Sequence, residues 1–314
     1  MNPLQRYNDY STYLKRHFPQ KMQKIAIHAG FTCPNRDGTV GYGGCTYCNN
    51  QTFNPSYCFP DKSIERQIDE GIFFFRKKYP EQRYLAYFQA YTNTYASLAI
   101  LKKKYEQALR HPMVDGLIIG TRPDCVDETL LDYLADLRKK YYVMVEYGVE
   151  STCDETLLFI NRGHTYETAV QAVCKTAERN IETCAHLILG LPHESEDQIL
   201  RHADRISQLP LSCVKLHQLQ LIKGTVMAQQ YDTHPEWFRL FTVDEYIDLV
   251  VRFVERLHPN IVIERFTSQS PKNLLAVANW GLKNYEFVAK LEKRMNALDV
   301  RQGVKCKQNL PCRY

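Results

Sequence analysis

Three cysteines lie on one glycine-rich segment, with the spacing Cys33-x11-Cys45-x2-Cys48. Thiolates bind soft and borderline metals, and two cysteines separated by two residues can bring both sulfurs to one centre. The four glycines between Cys33 and Cys48 let the segment bend and point backbone N–H groups at an anionic cluster. Because only three ligands come from this loop, one iron of a [4Fe–4S] cluster would stay open to a substrate or cofactor.

Other roles for the cysteines stay open at this point. Cys58 lies ten residues beyond Cys48, so four thiolates could form a closed structural zinc site. The thiols could also be free and buried, as free cysteines often are. The total of 11 cysteines is odd, which argues against a disulfide framework in a reducing compartment. Cys306 and Cys312 would need further ligands, which the sequence does not identify, to form a second metal site.

The composition is that of a globular protein, because 314 residues with 44% hydrophobic and 24% charged side chains exclude a disordered or collagen-like chain. Apolar stretches such as Gly71–Phe75 and Leu187–Leu191 are far shorter than the ~20 residues of a membrane span. The segment Met1–Phe18 lacks the apolar core of a signal peptide. We therefore expect a soluble, cytoplasmic protein with no membrane partner. The net charge of +5 suits a phosphate-bearing partner without identifying one.

Short apolar or β-branched runs alternate with segments of helical period. The predicted strands are Lys24–Ala29, Tyr84–Gln89, Gly116–Gly120, Val143–Val149, Thr183–Leu189 and Val214–Leu221. The predicted helices are one that begins at Ser63, then Ser97–Leu109, Asp127–Lys140, Thr165–Asn180 and Ser195–Gln208. Strands separated by helices form parallel sheets with right-handed crossovers. The count of six predicts an α/β fold, a partial (β/α)6 TIM-like barrel, with its site beyond the strand ends.

The pattern changes near Thr242. A helix Val243–His258, a strand Val262–Phe266 and a helix Lys283–Leu298 predict a small C-terminal α+β extension packed on the barrel. We therefore divide the chain into a core barrel, residues 1–241, and an extension, residues 242–314. The core includes an N-terminal helix, and three tyrosines with a spacing of three residues are expected to pack it against the barrel: Tyr7, Tyr10 and Tyr13.

The cysteine loop after the first predicted strand resembles that of the radical S-adenosylmethionine (SAM) superfamily. Its members carry three cysteines after strand one of a partial barrel, commonly with an aromatic residue before the third, as Tyr47 is here. Their usual spacing is C-x3-C-x2-C, and the longer gap here is similar to that of the Elp3-like branch and of a group of bacterial relatives. The resemblance covers roughly residues 20–305.

Two segments resemble the family's SAM-binding motifs. Gln89 to Tyr95 ends strand two, where the family contacts the SAM amino group. The family's Gly-Gly-Glu is absent, so the resemblance assigns this contact to side chains or backbone of the segment: Gln89, Thr92, Asn93 and Thr94. The second segment, Glu150-Ser151 with Arg162 twelve residues after Glu150, resembles a "G-x-(Q/E)-S … N/K-R-G-H" pattern. It implies that the Glu binds the ribose and the Arg binds the SAM carboxylate, as a planar guanidinium can do with two hydrogen bonds.

Two later segments extend the resemblance. His186 to Pro192 is similar to the "D-L-I-x-G-L-P" strand of oxygen-independent coproporphyrinogen oxidases, with His186 in place of the ribose-binding Asp. Val214 to Thr225 is close to the Elp3 strand-six segment and would place cationic residues on the mouth side of the barrel.

The resemblance implies an enzyme that binds a [4Fe–4S] cluster and SAM. An electron from a flavodoxin or ferredoxin would cleave SAM to methionine and a 5′-deoxyadenosyl radical, which removes hydrogen from a substrate. The Elp3 likeness predicts a tRNA partner and modification of the wobble-uridine side chain. Because the sequence contains no acetyl-CoA-using domain, we expect action on an existing uridine substituent. An oxidoreductase for a tetrapyrrole or other small metabolite and a zinc-stabilised binding protein are the alternatives.

Overall fold

Seven parallel strands form one curled sheet in chain order, as the computed structural model of this protein shows. The structure describes residues 5–52, 54–76 and 81–307. The strands are β1 Met22–Ile27, β2 Arg83–Phe88, β3 Val114–Thr121, β4 Tyr142–Glu150, β5 Glu182–Leu189, β6 Cys213–Gln218 and β7 Val262–Arg265. The sheet curls into a partial barrel, and the predicted α/β TIM-like fold is confirmed.

Helices cover the outside of this sheet. Those in the described part of the chain are α1 Tyr10–His17, α2 Ile64–Arg76, α3 Leu98–Leu109, α4 Glu128–Arg138, α5 Asp154–Phe159, α6 Tyr166–Glu178, α7 Glu196–Ile206, α8 Val226–Thr233, α9 Val243–Arg256 and α10 Asn284–Ala297. The predicted helices match α2, α3, α4, α6, α7, α9 and α10. The sequence missed α5 and α8, which are too short to show a clear helical period. Among the described helices, none is long and apolar enough to cross a bilayer.

Side-chain caps set the start of several helices, and so the length of the loops that follow the strands. The Ser63 hydroxyl accepts a hydrogen bond from the Arg66 N–H at 3.2 Å, as predicted for the start of α2. Ser195 and Gln198 form a reciprocal capping box at the start of α7. These bonds satisfy backbone donors that the first helical turn leaves unpaired.

The interior of the barrel is apolar at the amino ends of the strands. Met22, Leu85, Met144 and Cys184 belong to a buried cluster there, and Tyr13 of α1 packs against it. The predicted packing of the N-terminal tyrosines is thus confirmed, although Tyr7 precedes α1 and does not lie on it. Because α1 covers this end of the barrel, the opening lies at the carboxyl ends of the strands.

β7 is the seventh strand of the same sheet, although the sequence placed its segment in an extension. Val262 pairs with Cys213 of β6, in a parallel register. Among the described strands, no backbone pairing joins β7 to β1, but the Lys24 ammonium on β1 lies 2.6 Å from the Glu264 carboxylate on β7. A buried ion pair therefore bridges the gap between the two sheet edges. β6 ends at Gln218, three residues before the predicted end.

Candidate active site

One cavity lies at the carboxyl ends of the strands, where parallel α/β barrels place their sites. It is lined by nine of the twelve residues predicted to bind the cluster or SAM: Cys33, Cys45, Tyr47, Cys48, Gln89, Thr92, Glu150, Arg162 and His186. Residues within or just after three strands, β2, β4 and β5, therefore share one cavity wall with Arg162 and the cysteine loop.

The cysteine loop is held by turns and by donors directed at sulfur. The Cys48 N–H donates to the Cys45 carbonyl at 3.0 Å, which closes a tight turn between the two thiols. The side-chain amide of Asn35 lies 3.7 Å from the Cys45 sulfur, and that of Asn50 lies 3.7 Å from the Cys48 sulfur. Gly44 has φ of +84°, a conformation that favours glycine and that lets the loop reverse before Cys45.

Cys58 does not join this group. Its side chain is fully buried in the hydrophobic core. Burial raises the pKa of its thiol to about 12, so it is held as a neutral thiol in the core. Of the four cysteines considered for a zinc site, Cys33, Cys45 and Cys48 line the cavity and Cys58 does not. Of the suggested C-terminal pair, Cys312 lies outside the described residues.

A bulge at the end of β4 directs Glu150 into the cavity. The pairing of β4 with β5 shifts register between Gly148 and Glu150. Glu150 has φ of +69°, which a residue with a side chain rarely adopts. Bulges commonly re-aim a side chain near a site. As a result, a Glu150 carboxylate oxygen lies 3.9 Å from the Arg162 guanidinium, which comes from the turn before α6.

Gly148 provides the space in which Arg162 is fixed. Two Arg162 nitrogens donate to the Gly148 carbonyl, at 3.2 Å from Nε and 2.6 Å from Nη2. A Cβ at position 148 would lie 2.6 Å from the Glu150 carboxylate and 2.7 Å from Arg162 Nη2. The remaining nitrogen, Nη1, lies 3.5 Å from the Cys45 sulfur. The guanidinium therefore connects the end of β4 with the cysteine loop.

Among the influences on the pKa of Glu150, burial has the largest effect. It raises the pKa of Glu150 above its ordinary value, although the charge of Arg162 and a hydrogen bond from Tyr47 act in the opposite direction. Arg162 and Tyr47 thus offset part of the cost of burying the Glu150 carboxylate. Its oxygens can still accept hydrogen bonds from the hydroxyl groups of a ligand.

Three predicted residues lie behind the cavity wall. The Ser151 hydroxyl donates to the Glu194 carboxylate at 2.5 Å, because the bulge turns this side chain away from the cavity. The Asn93 amide donates to the Gly120 carbonyl at 2.8 Å, and the Thr94 hydroxyl contacts that of Thr121 at 2.5 Å. These side chains join the ends of β2 and β3, and Thr92 is the member of this segment that faces the cavity.

Residues 33–206, more than half of the chain, match the Radical SAM superfamily. The chain belongs to the radical SAM superfamily. Its members use a [4Fe–4S] cluster and SAM. Residues 211–297 match the Radical_SAM C-terminal domain. The three loop cysteines and Arg162 all fall within the first match.

Two relatives match nearly end to end. YtqA of Bacillus subtilis is 35% identical over 311 residues, which cover 96% of this chain and 93% of YtqA. YhcC of Escherichia coli K12 is 32% identical over 292 residues, 92% of each chain. Among solved structures, the Methanocaldococcus infernus Elp3 with an N-terminal deletion superposes with a TM-score of 0.67 at 16% identity. The superposition covers 90% of this chain but only 64% of that Elp3, and it supports the assignment of the fold alone.

The donors around the cysteines fit a radical SAM cluster. Amide and guanidinium N–H groups lie near two of the three sulfurs, and such hydrogen bonds stabilise a negatively charged iron–sulfur cluster. Cys33, Cys45 and Cys48 would hold the cluster through their thiolates. The cavity that they line also contains a guanidinium for a carboxylate and a carboxylate for hydroxyls, which are the partners that SAM needs.

Glu146 forms part of the floor of the cavity, and sequence reasoning did not predict it as a site residue. Glu146 is fully buried on β4 and contacts Lys24, Lys215 and His186 at 2.7–2.8 Å. Burial opposes ionisation, but Lys215 and Lys24 hold the pKa of Glu146 well below its ordinary value. The missed signal was the alternation of polar residues along strands that are otherwise apolar, because alternate residues face the barrel interior. Lys215 belongs to the segment predicted at the mouth, but its side chain is buried and pairs with Glu146.

Proposed function

We propose that this radical SAM enzyme modifies the side chain of the wobble uridine of tRNA. The observation that carries the proposal is the similarity to proteins named for that position or for the Elongator complex. Elongator complex protein 3 of Saccharomyces cerevisiae is 23% identical over 191 residues, 59% of this chain. The tRNA uridine(34) acetyltransferase of Dehalococcoides mccartyi is 27% identical over 130 residues, 40% of this chain.

The proposed substrate is a uridine that already carries a substituent. This chain spans 33% and 28% of those two relatives, so their complete activities are not carried over. The depth of the cavity supports a substituent. Glu146 lies four residues before Glu150 on β4, about 13 Å deeper at the rise of a strand. Polar groups at that depth, including His186 and His217, would be reached by an extended side chain on the uracil ring and not by the ring alone.

The residues of this chain have separate roles in the proposed reaction. The thiolates of Cys33, Cys45 and Cys48 bind the cluster, Arg162 pairs with the SAM carboxylate, and Glu150 accepts hydrogen bonds from the ribose. When bound there, the cluster and SAM would supply the radical chemistry by which a hydrogen is removed from the substrate. The buried floor excludes water and positions the substituent. Radical SAM enzymes need a reductant, and we propose a flavodoxin or ferredoxin-type protein as the donor.

Mass spectrometry of tRNA nucleosides from cells that lack this gene tests the proposal. We expect a precursor form of the wobble uridine to accumulate. Wild-type protein and the control Cys174→Ala should restore the normal nucleoside, because Cys174 lies on α6 away from the cavity. Cys48→Ala should not restore it. An unchanged wobble-uridine profile would contradict the proposal and would favour a small metabolite, such as a tetrapyrrole, as the substrate.

A further inference from the structure

Two arginines that line the cavity, Arg36 and Arg265, have no carboxylate partner among the described residues. Arg36 lies on the cysteine loop, where it donates to the Cys48 carbonyl at 3.0 Å. Arg265, at the end of β7, lines the cavity, and its Nη2 lies 3.1 Å from both ring nitrogens of His217. Its Nε is buried without a hydrogen-bond partner. Among the described residues, no carboxylate oxygen lies within 4.0 Å, the limit for a salt bridge, of a guanidinium nitrogen of Arg265.

The neighbouring charges are balanced without Arg265. Lys24 and Lys215 are paired with Glu146 and Glu264 at distances of 2.6–3.1 Å, so two cations face two anions. Burial, and then nearby cations, lower the pKa values of the two histidines of the floor, His186 and His217, and neither ring can supply a negative charge to pair with Arg265. Arg265 therefore adds one uncompensated positive charge to the cavity.

Polar side chains hold the segment after Arg265 in place. The side-chain amides of Gln218, the last residue of β6, and of Gln220 both donate to the Ser268 carbonyl at 3.1 Å. The Ser270 hydroxyl donates to Gln220 at 2.6 Å, and all four of these residues line the cavity. The wall around Arg265 is thus polar and tied to β6, which suits a polar ligand group.

We propose that Arg265 binds an anionic group of the substrate, a carboxylate or a phosphate, with His217 positioning the guanidinium. The Arg265 side chain is partly buried, and a partly buried cation without a counter-charge is destabilising, a cost that a bound anion removes. A guanidinium binds either group through two parallel N–H bonds. The inference rests on the proposed function in taking tRNA as the source of the substrate. It makes Arg265 a residue that determines substrate specificity and leaves SAM binding to Arg162.

The first experiment uses small anions as probes. The melting temperature of cluster-loaded protein is measured in acetate and in phosphate, against chloride at the same ionic strength. For the wild type we expect a rise of about 2 °C at an anion concentration about ten times its Kd. Arg265→Gln should lose this rise. The control Arg294→Gln, which removes an exposed arginine paired with Asp248 on the surface, should keep it. Equal responses of wild type and Arg265→Gln would overturn the proposal.

The second experiment uses tRNA from cells that lack the gene and an unmodified transcript of the same tRNA. Arg265→Gln should lower kcat/KM for SAM cleavage stimulated by cell tRNA by about 100-fold. Arg265→Lys, which keeps the charge and loses the planar fork, should lower it less. The SAM dissociation constant should change by less than in Arg162→Gln, because Arg162 and not Arg265 is assigned to the SAM carboxylate. Unchanged stimulation in Arg265→Gln, or SAM binding weakened as much as in Arg162→Gln, would overturn the inference.

The two RNAs also identify the source of the anion. The binding of each RNA to wild type and to Arg265→Gln is measured as well. If Arg265→Gln binds cell tRNA more weakly but binds the transcript as the wild type does, the anion belongs to the uridine substituent. Equal loss with both RNAs assigns it to a backbone phosphate, since both carry the same backbone. If cell tRNA does not stimulate the wild type, the proposed function fails, whereas the melting experiment still decides whether Arg265 binds an anion.

Discussion

The guanidinium of Arg162 lies 3.5 Å from the sulfur of Cys45, although the two residues are 117 positions apart in the chain. The same guanidinium donates to the Gly148 carbonyl at 2.6 Å. One cation therefore contacts a cluster-ligand loop and the strand end that carries Glu150. The proposed contact to SAM and the electrostatics of the cluster are coupled through this side chain.

Replacement of Arg162 tests this coupling. Arg162→Gln removes a charged donor from the SAM carboxylate, so we expect SAM to bind about 10–100-fold more weakly. The cluster should remain, with a lower reduction potential because a cation beside a sulfur ligand is lost. Equilibrium binding of SAM and an anaerobic redox titration measure the two effects, with Arg294→Gln as the control. Unchanged SAM affinity would remove the assigned role.

Gly148→Ala tests whether the space beside Arg162 is required. The added methyl group would lie 2.7 Å from Arg162 Nη2, so the guanidinium must move and SAM binding should weaken. In a double-mutant cycle, Gly148→Ala should cost little further affinity in the Arg162→Gln background, because both changes act on one contact. Additive losses in the SAM dissociation constant would show that Gly148 acts independently of Arg162.

Glu146 is predicted to be essential for stability. Glu146→Gln leaves Lys24 and Lys215 with one shared carboxylate in a buried site, and breaking such a network costs about 3–5 kcal/mol. The matched surface change, Asp136→Asn, removes an exposed pair with Lys139 and should cost less than about 1 kcal/mol. Urea unfolding of both variants measures the difference. A similar free energy of unfolding for the two would contradict the buried network.

His186 gives a prediction for pH dependence. Burial, followed by the charge of Lys215, lowers its pKa from 6.5 to about 4. Between these values the unfolded chain binds a proton that the folded chain does not, so the free energy of unfolding falls as the pH falls. One such proton contributes about 1.4 kcal/mol per pH unit.

The variant His186→Gln should lose this one-proton contribution. The free energy of unfolding, measured in urea between about pH 7 and pH 5, should depend less steeply on pH than in the wild type. His234→Gln changes a half-exposed histidine in another segment and should keep the wild-type slope. An unchanged slope in His186→Gln would show that His186 is not held neutral in the fold.

The parts of the site that depend on short sequence distances could be predicted. Cys45 and Cys48 lie within one turn, so their spacing alone indicates a shared centre. Glu150 and Arg162 follow one strand and one short connection, and they meet where strand ends are expected to place them. The alternation of strands and helices likewise fixed the order of the elements, and hence the partial barrel.

Relationships that depend on register or on distant segments could not be predicted. The bulge between Gly148 and Glu150 turns Ser151 away from the cavity, and no local signal reports such a shift. The pair Lys24–Glu264 joins residues 240 positions apart, and it forms because β7 closes towards β1. Arg265 enters the cavity only because β7 belongs to the same sheet, which the sequence placed in an extension.

The central claim is that three loop cysteines bind one [4Fe–4S] cluster and leave an iron for SAM. Iron content after anaerobic reconstitution tests it most directly, in the wild type, in Cys33→Ala, Cys45→Ala and Cys48→Ala, and in the control Cys58→Ala. We predict about four irons per chain in the wild type and in Cys58→Ala, and loss of the cluster in each of the other three. A chain that binds zinc alone, or one that loses its metal when Cys58 is replaced, would contradict the claim.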